Sequence, residues 1–77
     1  MEINIESYKK ESKKIRIIEN NGFGKEYTMD ERILIFKGLY LNKKKHGKGI
    51  EYYSNGRIKF EGEYSNGYKI KGNDYKK

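Results

Sequence analysis

The 77-residue chain has no cysteine, no proline and no tryptophan, and its single histidine is His46. Without cysteine there is neither a disulfide nor a thiolate metal site, and nothing in the sequence points to a redox compartment. One imidazole alone does not assemble a metal-ligand set, so no metal or other cofactor is expected. No apolar run approaches the ~18 residues of a membrane-spanning helix, and the opening MEINIESYKK lacks the apolar stretch of a secretory signal. A soluble, cytoplasmic chain is the expectation. Apolar residues are also scarce, at 34% with a mean hydropathy of −1.14, too few for a thick closed core in so small a domain.

What the chain does have is aromatic side chains, eight Tyr and three Phe, which argue for folding over disorder. They fall in runs that read as strands: ILIFKGLYL at 33–41, GIEYY at 49–53 and RIKFEGEY at 57–64. The pairs Asn55-Gly56 and Asn66-Gly67 are hairpin signals, because a two-residue type I′ turn needs positive φ at both central residues. No window combines helical apolar spacing with a cap, and nine Gly interrupt every candidate.

The strands repeat. Phe36, Gly38 and Tyr40 match Phe60, Gly62 and Tyr64, each 24 residues on, and Gly49 and Tyr52 match Gly72 and Tyr75, 23 residues on. Gly22, Gly24, Glu26 and Tyr27 match Gly47, Gly49, Glu51 and Tyr52 at a spacing of 25. Residues 20–77 therefore form an array of about two and a half units, preceded by residues 1–19, a β segment that serves as cap or cover. The order aromatic-x-Gly-x-Tyr, His-Gly-x-Gly, Tyr, Asn-Gly resembles the MORN repeat (membrane occupation and recognition nexus). It rests on Phe36, Gly38, Tyr40, His46, Gly47, Gly49, Tyr52 and Gly56, then on Phe60, Gly62, Tyr64, Gly67, Gly72 and Tyr75. Lys43 stands where that family usually has Gly, and the last unit keeps only Ile70-Lys71-Gly72 of its second half. The resemblance implies an all-β antiparallel meander of hairpins, and a role in scaffolding, dimerisation or contact with acidic membranes.

Alternation in RIKFEGEY puts Ile58, Phe60, Gly62 and Tyr64 on one face and charges on the other. The same register makes Leu34, Phe36, Gly38 and Tyr40 the inner row of the preceding unit. Gly62, between two aromatic residues on that face, leaves room for the Tyr ring of a neighbouring hairpin to lie against backbone. On the other face of that preceding strand Ile33, Ile35, Leu39 and Leu41 form an aliphatic strip. Either the N-terminal segment covers it, through Ile3, Ile5 and Tyr8 or through Ile15, Ile17 and Ile18, or it is a partner surface.

Catalysis has little to work with. His46 sits at a turn position suited to packing or hydrogen bonding, and Asp30 with Glu31 reads as an exposed turn. Gly47-Lys48-Gly49 leads into a strand, not into the helix a phosphate loop needs. A thin sheet offers few clefts in which a group is perturbed for acid or base work, so no enzyme is expected. Charge is the stronger signature. Net charge is +7, and residues 37–48 hold five Lys (Lys37, Lys43, Lys44, Lys45 and Lys48) and no acid. The reading is a non-enzymatic protein-binding or scaffold module, acting through its sheet face or edge, with this basic loop steering it to a protein with an acidic surface. Self-association is a further partner reading, since short arrays have open ends. Electrostatic binding to nucleic acid or anionic lipid is an alternative, with Tyr53 and Tyr68 the rings left for bases. Another is a small phage-type inhibitor that blocks a host nucleic-acid enzyme.

Overall fold

The computed structural model describes residues 14–19, 22–30 and 32–77. The aromatic and β-branched runs form β1 (Lys14–Ile18), β2 (Phe23–Thr28), β3 (Leu34–Leu41), β4 (Lys44–Tyr52), β5 (Ile58–Ser65) and β6 (Tyr68–Asp74). Each strand pairs antiparallel with the next, and the six make one open sheet in chain order. The described residues contain no helix. The meander of hairpins read from the repeat is the fold.

Among the described residues no second layer covers this sheet, and glycine gives its rings a place to pack. Gly24, Gly38, Gly49, Gly62 and Gly72 lie opposite one another on successive strands, as a row across β2 to β6. The rings of Phe36, Tyr40, Phe60 and Tyr64 lie against this row and are the buried cluster. A Cβ on Gly49 would meet the Phe36 ring at 2.7 Å and the Tyr64 ring at 3.0 Å, and one on Gly24 would meet the Tyr40 ring at 2.6 Å. Edge-to-face contacts join the rings in a chain: Tyr40 to Phe36 at 5.7 Å, Phe36 to Tyr64 at 5.4 Å, and Tyr64 to Phe60 at 5.6 Å. Each buried ring contributes about 1.5–3 kcal/mol. The inner row read from alternation is right for these four residues and for Gly38 and Gly62, although the ring over Gly62 is its own strand's Phe60 and not a neighbouring hairpin's Tyr.

Two hairpin turn types recur, and the β2–β3 connection is longer, with the Thr28 N–H donating to the Ile33 C=O at 2.9 Å. Asn42 and Lys43 (φ 53° and 66°) and Asn66 and Gly67 (φ 51° and 91°) form two-residue turns with positive φ at both positions. Asn55-Gly56 departs from that expectation. Only Gly56 has positive φ, 90°, and Tyr53 and Arg57 close a three-residue loop through Tyr53 N–H to Arg57 C=O at 2.8 Å. Glu19 and Phe23 are joined in the same way, at 2.8 Å. The three-residue loop with a left-handed Gly is the next commonest hairpin solution.

Register shifts also recur, at Glu26/Tyr27, Gly38/Tyr40, Glu51/Tyr52 and Glu63/Tyr64. The alternating reading of β3 and β5 fails at two of these shifts, Glu26/Tyr27 and Glu51/Tyr52, where the extra residue lies in the strand that was read and breaks its period of two. Glu26 faces Phe36 and Tyr27 faces Leu34, which skips Ile35; Glu51 faces Phe60 and Tyr52 faces Ile58, which skips Lys59. Leu34 and Ile58 consequently stay outside the buried cluster. The aliphatic strip is broken as well. Ile33 sits in the β2–β3 connection, its N–H donating to Thr28 Oγ1 at 3.0 Å, while Leu39 and Leu41 are exposed farther along β3. Ile15, Ile17 and Ile18 do not cover the strip, because they belong to β1, which lies beside β2 in the sheet itself. The other proposed cover, Ile3, Ile5 and Tyr8, lies outside the described residues.

Candidate functional site

On the ring face, each unit repeats one polar arrangement. The Tyr40 hydroxyl donates to Glu26 Oε2 at 2.8 Å, and the Tyr64 hydroxyl donates to Glu51 Oε2 at 2.7 Å. A lysine then lies over the phenylalanine ring of the same unit. Lys45 Nζ is 4.1 Å from the Phe36 centroid and 3.9 Å from Glu26 Oε1; Lys69 Nζ is 4.4 Å from the Phe60 centroid and 3.4 Å from Glu51 Oε1. Burial, then the hydrogen bond to its glutamate, pushes each phenol well above its ordinary value. Burial alone would raise the Glu51 carboxyl, but the Tyr64 hydrogen bond and the charges of Lys69 and Lys45 outweigh it and hold the carboxyl low. Desolvation lowers the Lys45 ammonium, against the pull of Glu26 and Glu51.

Lys45 is therefore no part of a projecting loop. Its side chain is 20% exposed and it serves the ring packing. The turn proper is Asn42-Lys43, and the turn bends over the ring face, where Arg16 Nη1 donates to the Lys43 C=O at 3.0 Å. Arg16 Nε lies 3.1 Å from Glu26 Oε2, and its guanidinium is 5.6 Å from the Tyr40 centroid. Glu26 faces Arg16 on β1 as Glu51 faces Phe36 on β3, so a guanidinium takes the place of a ring in the first unit. Lys14, Arg16, Lys43, Lys44 and Lys45 line a hollow of about 250 Å³, with Glu26 as the acid among them. β1 thus supplies two cations that the sequence reading missed. Nothing in the repeat spacing marks them, since they precede its first recognisable residue.

Lys37 and Lys48 lie on the opposite face, so the five predicted lysines do not form one cluster. That back face carries an open groove of about 450 Å³ beside Phe23, Leu39 and Ile50, bordered by Lys37 and Lys48 and by Glu61 and Glu63. Leu41 is 53% exposed, whereas Ile35 borders a separate ring-face hollow with Lys45, Glu26 and Glu51. Tyr53 is engaged, its hydroxyl donating to the Tyr75 C=O at 2.7 Å under Lys59. Tyr68 is 76% exposed at the start of β6, at the other end of its sheet from Tyr53. The two rings are not brought together. His46 Nδ1 accepts a long hydrogen bond from the Asn66 N–H, 3.4 Å, which ties one unit to the turn of the next.

No helix among the described residues is long and apolar enough to cross a membrane. Neither a protein-family model, nor a curated protein, nor a solved structure matches the chain.

Proposed function

We propose that the protein is a non-enzymatic, MORN-like protein-binding module that engages the acidic surface of a partner protein through the basic hollow of its ring face. The observation that carries this reading is the convergence of Lys14 and Arg16 from β1 with Lys43 and Lys44 from the β3–β4 turn, two segments far apart in sequence. Arg16 is held by Glu26 and the Lys43 C=O, yet its side chain remains 49% exposed. A preorganised guanidinium beside flexible ammonium groups suits carboxylates arriving on a protein surface.

A protein fits this hollow better than nucleic acid does. Single strands bind by stacking bases on rings, and here Phe36, Tyr40 and Tyr64 are 1%, 7% and 3% exposed. The test uses a fluorescein-labelled acidic peptide of about a dozen Asp and Glu residues, titrated at several salt concentrations. Wild type binds it, and Lys43→Glu with Lys44→Glu, both on exposed residues, loses most of that affinity without loss of fold. Equal binding by the double variant, or tighter binding to single-stranded DNA or anionic vesicles than to the peptide, would overturn the reading.

A further inference from the structure

The back face sorts its charges by strand. Lys25 faces Lys37 across β2 and β3, an arrangement of like charges that costs stability within a sheet. Lys37 next faces Ile50 on β4, and Ile50 faces Glu61 on β5. Neither Lys37 nor Glu61 has an ion-pair partner among the described residues, whereas Glu63 has Lys71 at 3.7 Å. One row thus runs Lys25, Lys37, Ile50, Glu61, positive on one side of an apolar centre and negative on the other. Leu39 and Phe23, a facing pair, add apolar surface beside it.

Such a row is complementary to itself. We infer that the back face is the contact between two copies of this chain, packed sheet on sheet about a twofold axis that runs along β4. A half-turn about that axis keeps each residue at its level along the strands and exchanges left for right. It sets β3 over β5 of the second copy, so that Lys37 meets Glu61 twice, and it sets Ile50 against its own copy at the centre. Two sheets pack about 10 Å apart with nearly aligned strands, a gap that long side chains such as Lys and Glu span. Rotation about an axis across the strands would instead place Lys37 over Lys37, which excludes that alternative. The net charge of +7 opposes pairing at low salt, so the dimer tightens as salt first screens the overall repulsion. This inference concerns the face opposite the basic hollow and goes beyond the acidic-partner reading. A dimer presents two hollows, which raises avidity for a partner with repeated acidic patches.

Sedimentation of the full chain at about 100 µM and moderate salt, a concentration suited to a modest interface, reads the outcome. The expected mass is twice 9.2 kDa. Lys37→Glu alone and Glu61→Lys alone each weaken the dimer at least about tenfold, because a reversed charge meets its like. An equimolar mixture of those two single variants restores the dimer as a heterodimer, and so does the variant carrying both changes. Ile50→Lys abolishes it in every background. A wild-type chain that stays at 9.2 kDa, single variants that dimerise like wild type, or a mixture that fails to recover would each overturn the inference. Loss of the dimer with acidic-peptide binding retained would leave the acidic-partner reading standing, and the reverse result would leave the dimer standing.

Discussion

Tyr64 and Glu51 sit on adjacent strands, and the phenol donates to the carboxylate at 2.7 Å, with Lys69 3.4 Å from the other carboxylate oxygen. The hydroxyl belongs to one repeat unit and the carboxylate to the preceding one. Successive units are thereby joined by a charge-assisted hydrogen bond as well as by the contact of the Tyr64 ring with Phe36. Tyr64→Phe keeps the ring and removes the donor. Hydrogen bonds to charged groups are worth about 1.5–3 kcal/mol, and a loss in that range is expected from urea unfolding. A double-mutant cycle with Glu51→Gln isolates the pair. If the single variant unfolds at the wild-type urea midpoint, the inter-unit bond contributes nothing and the units are joined by rings alone.

The glycine row makes a second prediction, graded by position. Gly49→Ala drives a methyl into two ring edges, and rings can shift by tenths of an ångström, so a cost of about 1–3 kcal/mol is expected for overpacking. Gly62→Val should cost more than Gly49→Ala. Its Cβ would meet the Gly72 Cα at 2.6 Å and the carbonyl of Lys71, backbone atoms of the paired strand that cannot turn aside. Thermal melts of both variants check the order. Reversal of that order would mean that β6 gives way more easily than the rings do.

Repeat spacing made the rings legible. Phe36, Tyr40, Phe60 and Tyr64 come out buried together because two identical motifs 24 residues apart impose the same face on both strands. The polar half of the unit was written in the same spacing: Glu26 and Glu51 match at 25, and Lys45 and Lys69 at 24. It stayed hidden because charged residues are read as solvated unless a partner is known, and the partners here are rings and hydroxyls on neighbouring strands. Ile35 and Lys59 were misread for a different reason. A bulge leaves no composition signal, and every residue beyond it changes face relative to simple alternation. Arg16 and Lys14 lie outside the repeat, and only the folded register brings them to the Lys43 turn.

Lys43 supplies the third prediction. Its φ of 66° is left-handed, at the turn position that Gly67 occupies in the next unit. An L-residue held there pays roughly 1–2 kcal/mol, which glycine avoids at some expense of unfolded-chain entropy. Lys43→Gly should therefore stabilise the chain, by about 1 kcal/mol in chemical unfolding. The same change removes a cation from the hollow, so stability rises while acidic-peptide affinity falls. A Lys43→Gly chain less stable than wild type would show that the lysine side chain, not the backbone, governs this turn.

The fourth prediction follows from the two buried phenols. Burial, and then the hydrogen bonds to Glu26 and Glu51, raise Tyr40 and Tyr64 above the ordinary value of 10.0. The folded chain then keeps two protons that the unfolded chain releases. Their stabilisation is complete below pH 10 and declines as pH rises beyond it. Lys45 acts in the opposite sense, because its lowered ammonium makes the unfolded chain the one that holds the proton, up to 10.5. Two phenols against one amine leave a net loss of stability on the alkaline side. On the acid side Glu51, held below its ordinary 4.5, contributes stability that disappears as pH falls below that value. An alkaline titration followed by tyrosinate absorbance and circular dichroism separates these steps. Two of the eight tyrosines should ionise only as the strand signal is lost, and the Tyr40→Phe, Tyr64→Phe double variant should lack that delayed step. Complete ionisation of all eight with the strand signal intact would place both phenols in contact with solvent, and the hydrogen bonds to Glu26 and Glu51 would then not be the links between units.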